Sequence, residues 1–175
     1  VRQILQEMKR SRSAGRLITT DRRHTHQRYP NQIRDLVPLC PNHIWVADIT
    51  YLRYGHQYLY LAVILDAYTR AVRGWQLEEF LSCQALTLPA LTMALQQGTP
   101  AVFHSDQGRQ YAAREHVELL TAAGVVISMS DAGSPTQNAL MERFIRTLKD
   151  EFLPYADYTS PAEMRRQLRH FLEIE

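Results

Sequence analysis

The chain has 175 residues and a mass of 20.3 kDa, the size of one ordinary domain. Hydrophobic residues make up 45% and charged residues 22%, which excludes collagen-like and disordered classes. Two cysteines are too few for a disulfide framework and favour a reducing compartment. The longest apolar run, residues 59–65, is too short to span a bilayer, so we expect neither a membrane span nor a secretory signal.

The net charge is only +2, but it is unevenly distributed. Residues 1–40 carry nine Arg or Lys against three Asp or Glu, whereas the remainder carries eleven against fifteen. Eighteen of the twenty cations are Arg, whose side chain suits bidentate phosphate contact. We predict a basic linker or arm over residues 1–41 that contacts nucleic acid, with a solvated surface as the alternative. The folded domain is predicted over residues 42–175, and its end inside an apolar-periodic segment predicts a C-terminally truncated piece of a longer protein.

The first half of the domain has the pattern of β-structure. Stretches rich in β-branched and aromatic residues cover 44–52, 58–65 and 70–77, separated by short turn sequences. The second stretch is almost continuously apolar, which is typical of a strand buried on both faces. Three consecutive strands with short turns predict an antiparallel meander. Asp66 is expected to fix the turn after the second strand, with Arg70 as its suggested partner.

Helices and strands then alternate. Ser82 is a candidate N-cap for a helix over 82–97, which Pro89 must either kink or delay to about Leu88. The further elements are predicted as a strand at 101–105, a helix at 112–123 ended by Gly124, a strand at 125–129, a loop at 130–136, a helix at 137–152, and a last helix opened by the capping box at 160–163. The order predicts an α/β fold with a mixed five-stranded sheet, part meander and part parallel crossovers, flanked by helices.

Three carboxylates occupy positions that chemistry could use. Asp48 lies inside the first strand, where an unpaired charge is costly and calls for a metal, an Arg or backbone amides as partner. Asp106 directly follows the fourth strand, where ligands collect in such sheets, although a simple turn residue before Gly108 is the alternative. Glu142 lies on the predicted helix 137–152.

The pattern of that helix places Glu142 at the edge of its buried face. At about 100° per residue, one apolar stripe forms the core face; it consists of Met141, Phe144, Ile145, Leu148 and Phe152. Asn138, Glu142, Arg146 and Lys149 cluster on one flank of this stripe. Glu142 is therefore either a metal ligand or, as the more common case, the partner of Arg146 in an i,i+4 ion pair.

Three converging carboxylates would form a hard, oxygen-rich site that suits Mg²⁺ or Mn²⁺ better than zinc. Two such ions, about 4 Å apart, can activate a hydroxyl and stabilise the leaving oxygen in a phosphoryl displacement. The sequence contains no CxxC, HExxH or GxxxxGK[ST] pattern that would favour zinc or ATP chemistry.

Three groups of residues resemble the catalytic core of bacterial insertion-sequence transposases, which is of the retroviral-integrase (DDE) type. The first is Trp45-Val46-Ala47-Asp48-Ile49-Thr50-Tyr51, followed by Asp66 with Thr69-Arg70 and by Gly74-Trp75. The second is His104-Ser105-Asp106-Gln107-Gly108 with Gln110-Tyr111. The third is Ser130 with Gly133, Pro135, Asn138-Ala139, Glu142-Arg143-Phe144 and Thr147-Leu148-Lys149. There are 57 residues between Asp48 and Asp106, and 35 between Asp106 and Glu142. The second spacing is the one that these transposases share with retroviral integrases.

This resemblance implies a ribonuclease-H-like fold and a polynucleotidyl transferase that nicks DNA at an element's 3′ ends and joins them to a target. It implies Asp48, Asp106 and Glu142 as the catalytic acids that bind two Mg²⁺ (or Mn²⁺) ions. It also implies a homo-oligomer on DNA, with element ends and target DNA as partners, no membrane, and a cytoplasmic, nucleoid-associated bacterial setting. A ribonuclease-H-type nuclease and a catalytically inactive DNA-binding remnant are the alternatives.

Several residues around the acids have predicted roles of their own. Arg146 and Lys149 are predicted to contact DNA phosphates, with a solvated helix face as the alternative. Asn138 is included among the DNA-contacting residues, although a hydrogen bond beside the metal site and a helix N-cap are its other roles, with the cap favoured. His104 is expected to pack or hydrogen-bond beside Asp106, and both Trp45 and Trp75 are expected in the core.

Overall fold

The computed structural model describes residues 26–131, 138–156 and 158–173. Its sheet begins with an antiparallel meander of β1 (Ile44–Tyr54), β2 (Gln57–Asp66) and β3 (Val72–Glu78). β4 (Val102–Ser105) and β5 (Val126–Met129) complete a five-stranded sheet in the order β3-β2-β1-β4-β5. β4 is parallel to both β1 and β5. The predicted mixed sheet is thus confirmed.

Four α-helices cover the two faces of the sheet: α1 (Leu88–Leu95), α2 (Arg114–Ala122), α3 (Ala139–Thr147) and α4 (Pro161–Glu173). A π-helical turn, Cys83–Thr87, precedes α1, so the conflict at Pro89 is resolved by a helix that starts at Leu88. Ser82 caps this turn by accepting a hydrogen bond from the Ala85 N–H, as predicted. α3 likewise continues into a π-helical turn, Leu148–Phe152, and a short 3₁₀ turn, Leu153–Tyr155.

Side chains on successive β1 positions enter two separate cores. Trp45, Ala47 and Ile49 pack with α1 and α2 on one face. Ile44, Val46 and Leu52 pack with α3 and α4 on the other. Because side chains alternate along a strand, Asp48 belongs to the face that α3 covers. Trp45 and Trp75 are 0% and 2% exposed, so their predicted core positions are confirmed.

The capping box of α4 differs in one detail from the prediction. Ser160 Oγ accepts a hydrogen bond from the Glu163 N–H, as expected. The Glu163 carboxylate, however, accepts from the N–H and the hydroxyl of Thr159, one residue earlier than the standard box. The N-terminus of α4 is nevertheless capped by Ser160.

The turn between β2 and β3 is built on Asp66, which is fully buried. Its carboxylate accepts hydrogen bonds from the N–H groups of Asn42, Tyr68 and Thr69. Its charged partner is Arg73, at 3.2 Å, and the suggested pairing with Arg70 was wrong. Arg70 instead has a positive φ of 69° and donates its backbone N–H to the Asp66 carbonyl.

The predicted boundary at residues 41 and 42 remains a prediction, and residues 1–25 of the arm lie outside the described ranges. The rest of the arm contacts the domain. Tyr29 packs on the first core and Ile33 on the second. The N–H of Gln32 donates to Ser128 Oγ at 2.8 Å, and Arg34 pairs with Asp131.

Candidate functional site

The strand register brings Asp48 and Asp106 to neighbouring positions. β1 and β4 run parallel, and their last paired residues are Val46 and His104. Asp48 and Asp106 each lie two residues farther along, so the continued register sets them opposite each other at the carboxyl end of β4. Adjacent strands are about 4.8 Å apart, which makes the two carboxyl groups neighbours.

The Asp48 side chain lies at the edge of β1 where β4 has ended. Its Oδ1 accepts a hydrogen bond of 2.8 Å from the N–H of Ile49, a group that lacks a strand partner on this side. The residue is only partly exposed. A backbone amide is therefore one of the partners that a carboxylate in this strand was predicted to need.

Asp106 begins a tight turn after β4. Its Oδ1 accepts a hydrogen bond of 2.9 Å from the Gly108 N–H, so it is a turn residue as the alternative predicted. Asp106 can form this turn and still lie beside Asp48, so the turn does not prevent it from taking part in the site. A Cβ on residue 108 would lie 2.8 Å from Asp106 Oδ1, which explains why glycine suits this position.

Glu142 lies on the helix that faces Asp48 across a groove. It is exposed on α3 and lines, with Asp48, an open groove of about 420 Å³. Arg146 and Lys149 line the same groove, which confirms that these three residues share a helix flank. The core stripe is also confirmed, because Met141 and Leu148 are fully buried. Among the ion pairs of the described residues, none joins Glu142 to Arg146.

The acids affect one another electrostatically. Burial raises the pKa of Asp48 to about 7, and repulsion by Asp106 and Glu142 adds to this, against the lowering effects of the Ile49 N–H and Lys149. Burial lowers the pKa of Lys149, while the charge of Asp48 opposes that shift. Burial is thus the main reason why the charged form of Asp48 is disfavoured, and the neighbouring acids add to it.

The donor chemistry of this groove fits a hard divalent cation, since its acidic residues supply carboxylate oxygens. Within the described ranges, no three His, Cys, Asp or Glu side chains surround a common point that could hold one metal ion. A site of two ions needs only two of the acids around each ion. Asp48 adjoins Asp106 through the strand register and Glu142 through the groove, so it can belong to both pairs.

Asn138 does not cap α3, so the favoured role was wrong. Its side chain makes no capping hydrogen bond and instead donates from Nδ2 to the carbonyl of Ala47, at 3.2 Å. This bond joins α3 to the residue before Asp48, as the alternative of a bond beside the site predicted. Asn138 is 9% exposed, so its DNA contact stays a prediction that the burial does not favour.

His104 is buried beside the site, and its prediction is confirmed. Its Nδ1 lies 2.8 Å from Ser128 Oγ and its Nε2 3.0 Å from Ser130 Oγ. Burial lowers the pKa of His104 to about 4, so the imidazole is neutral at physiological pH. Both ring nitrogens are occupied, and they hold β4 to β5 just before Asp106.

No role was predicted from the sequence for two aromatic residues near the acids, Tyr51 and Tyr111. The Lys149 ammonium lies 4.6 Å from the centroid of the Tyr51 ring, a cation–π contact at the groove wall. Tyr111 is 3% exposed, and burial, followed by the charges of Asp48 and Asp106, raises the pKa of its hydroxyl well above 10. Both stand in the motifs quoted above, but the residue pattern gives no signal for contacts between strands and helices.

The fold and the groove together define a class: three-layered α/β proteins in which an acid inside a central strand lies beside an acid that follows the neighbouring parallel strand. Two family models, both described as an integrase core domain, match this chain, one over residues 38–135 and the other over residues 123–174. The chain belongs to the integrase core domain family. In its described part, no helix is long and apolar enough to cross a membrane.

Curated relatives come from bacterial insertion sequences. The chain is 36% identical to an uncharacterized 31 kDa protein of insertion element IS600 from Shigella sonnei, over 89% of this chain and 58% of that one. It is 32% identical to the transposase for IS904 from Lactococcus lactis, over 82% and 58%, and 35% identical to transposase InsF for IS3A from Escherichia coli K12, over 77% and 48%. The chain thus spans about half the length of these relatives.

Solved structures support the fold. A simian T-cell lymphotropic virus intasome, in complex with a PP2A regulatory subunit, superposes with a TM-score of 0.67 at 24% identity, over 86% of this chain and 55% of that chain. The HTLV-2 integrase catalytic core domain in complex with magnesium gives 0.60 at 20% identity, over 79% and 90%. The fold is therefore the ribonuclease-H-like fold of integrase cores, as the resemblance implied.

Proposed function

We propose that this chain is the catalytic core of an insertion-sequence transposase, a polynucleotidyl transferase that nicks element ends and joins them to target DNA. The observation that carries the proposal is the position of Asp48, which faces Asp106 across the strand register and Glu142 across the groove. The transposases of IS904 and IS3A are relatives by sequence, which supports the same activity here.

The proposed cofactor is a pair of Mg²⁺ or Mn²⁺ ions. Asp48 and Asp106 would hold one ion, and Asp48 and Glu142 the other. When bound, such ions supply Lewis-acid activation of a hydroxyl and stabilise the leaving oxygen of a phosphoryl displacement. The HTLV-2 core, described in complex with magnesium, supports the choice of metal.

The remaining groove residues have separable tasks. Burial raises the pKa of Asp48 to about 7, so the carboxyl is partly protonated near neutral pH and would have to lose that proton to hold a cation. Arg146 is exposed, so its guanidinium can contact a DNA phosphate. Lys149 is half-buried over Tyr51, where its charge offsets that of Asp48 as well as attracting the DNA backbone.

The proposed partners are element ends and target DNA, held by more than one subunit because two ends must be joined at one target. We place the protein at the nucleoid of a bacterial cytoplasm, since the proposed substrate is chromosomal DNA. Residues 42–175 would form the catalytic core, with residues 29–34 packed against it and the basic arm extending the DNA contacts.

The first test is calorimetric titration with Mg²⁺ and Mn²⁺, with and without duplex DNA, on the wild type and on the double variant Asp48→Asn/Asp106→Asn. We expect the wild type to bind the ions and the double variant to lose them. Equal heats from both proteins, with DNA present, would remove the metal-site assignment.

The second test separates the transferase from its alternatives. The protein is incubated with Mn²⁺ and either supercoiled plasmid or an RNA–DNA hybrid, and nicked, joined and hydrolysed products are resolved on gels. Joined DNA products that Asp106→Asn abolishes, with circular dichroism and DNA binding unchanged, support the transferase. Hybrid hydrolysis without joining would favour the nuclease, and salt-dependent DNA binding without a metal response would favour the remnant.

A further inference from the structure

We propose that Asn138 is a positioning residue: its buried amide takes the place of β4 as hydrogen-bond partner of Ala47 and so fixes the helix of Glu142 against the strand of Asp48. The inference rests on the proposed function, because it assigns a task within that site. It differs from a DNA contact, since the amide is directed at the protein's own backbone.

The edge of β1 loses its strand partner just before Asp48. β4 pairs with β1 only as far as Val46 and His104, and β4 ends one residue later. Beyond that point the backbone groups on this edge need other partners, because unpaired buried groups are costly. Asp48 satisfies the Ile49 N–H, and Asn138 Nδ2 satisfies the Ala47 carbonyl. Two side chains thus replace the missing strand on either side of the Asp48 backbone.

Asn138 immediately precedes the helix that carries Glu142. It is the N-cap residue of α3, four residues before Glu142, and its backbone (φ −125°, ψ 39°) is not helical. The bond from Asn138 to Ala47 spans 91 residues of sequence and links the start of α3 directly to β1. Rotation or sliding of α3 that would move Glu142 from the groove must therefore break this bond.

The docking of α3 does not depend on Asn138 alone. Met141 in α3 and Leu148 just after it are fully buried on the apolar stripe and anchor the helix to the core. Loss of the Asn138 amide would leave that apolar contact intact. We therefore expect an Asn138 variant to fold with α3 docked, but with Glu142 less well placed relative to Asp48.

The test is a double-mutant cycle read out by the affinity for Mn²⁺, measured by electron paramagnetic resonance with duplex DNA present. Asn138→Ala is introduced into the wild type, into Asp106→Asn and into Glu142→Gln. Substitutions around metal ligands commonly cost about 10–100-fold in affinity. We expect a loss of about tenfold in the wild type and in Asp106→Asn, and less than about twofold in Glu142→Gln, where there is no longer a Glu142 carboxylate to position.

Thr87→Ala is the matched control, because Thr87 is also buried and donates its hydroxyl to the backbone carbonyl of Gln110. It should change thermal stability but not Mn²⁺ affinity. Asn138→Ser is carried through the same cycle, so that a poorly folded Ala variant does not decide the result.

The outcomes distinguish the two proposals. Equal losses in all three backgrounds, in step with reduced thermal stability, would make Asn138 a structural residue and overturn this inference alone. Unchanged Mn²⁺ affinity in the wild-type background would overturn it as well. Absence of Mn²⁺ binding by the wild type itself would overturn the proposed function, and this inference with it.

Discussion

Asp48 in β1 lies beside Asp106, the first residue after the parallel strand β4, and each acid is two residues beyond the last paired residues, Val46 and His104. The 57 residues between the two acids in sequence contain two further strands and α1. Only the parallel pairing of β1 with β4 makes them neighbours. Burial, and after it repulsion from Asp106, disfavours the ionised form of Asp48, which costs stability.

This cost leads to a prediction for Asp48→Asn in the absence of metal. The pKa of Asp48 is about 7 in the folded state against 3.8 ordinarily. The folded protein therefore binds more protons than the unfolded chain between these values, and stability falls as pH rises through that window. Removing the charge should raise the free energy of unfolding at pH 8 by about 2–4 kcal/mol.

Urea unfolding of Asp48→Asn at pH 5 and pH 8, in EDTA, measures this effect. The gain should be clearly larger at pH 8 than at pH 5. Glu118→Gln, which changes an exposed acid, serves as the control and should change little at either pH. An equal gain in the free energy of unfolding at pH 5 and pH 8 would show that the pKa of Asp48 is not raised in the folded protein.

A second prediction concerns Gly108→Ala. The added Cβ would lie 2.8 Å from Asp106 Oδ1, and the movable carboxylate must shift to accommodate it. We expect less than about 1 kcal/mol of lost stability, because a side-chain end yields easily, but about tenfold weaker Mn²⁺ binding. Gly55→Ala is the opposite case: its φ is +57° with open space around it, so stability should fall and metal affinity should not. Unchanged metal binding in Gly108→Ala would contradict the prediction.

A third prediction concerns Asp66, which is fully buried beneath the turn from β2 to β3. Burial acts to raise its pKa, but the N–H groups of Asn42, Thr69 and Tyr68, together with Arg73, hold the pKa below its ordinary value of 3.8. Asp66→Ala leaves these donors without an acceptor and should cost about 3 kcal/mol or more at pH 7.

The stabilisation by Asp66 is present above the ordinary pKa and is lost as pH falls through the lowered one. The gap in free energy of unfolding between wild type and Asp66→Ala should therefore narrow in strong acid, as urea titrations at pH 7 and pH 3 would measure. Glu151→Ala, at an exposed position, should show no such gap. A gap that is independent of pH would mean that the Asp66 charge contributes nothing.

A fourth prediction concerns Arg146 and Lys149. Each Ala substitution should weaken duplex binding without regard to sequence and reduce the slope of log affinity against log salt by about one. Fluorescence anisotropy at several salt concentrations measures both. Arg114→Ala is the control, because Arg114 is exposed on α2, which packs on the opposite face of the sheet. An equal loss of slope in the control would place the DNA contact elsewhere.

Local sequence predicted much of this fold for identifiable reasons. The near-continuous apolar run of β2 predicted a strand covered on both faces. Ser82 was predicted as an N-cap, because a capping hydrogen bond joins residues only three positions apart. The spacing of Met141 and Leu148 likewise predicted the buried stripe of α3. The π-helical turns before α1 and after α3 were not predicted, since apolar periodicity cannot distinguish them from an α-helix over five residues.

The sequence by itself determined the residue types, the strand and helix order, and the family to which the chain is similar. Tertiary structure alone decided which polar groups meet. Arg73 rather than Arg70 pairs with Asp66, because β3 returns alongside the turn. Asn138 bonds to Ala47 rather than capping its own helix, because β4 ends early and leaves that carbonyl unpaired. Such contacts depend on where strands stop and how helices cross them, which no local spacing records.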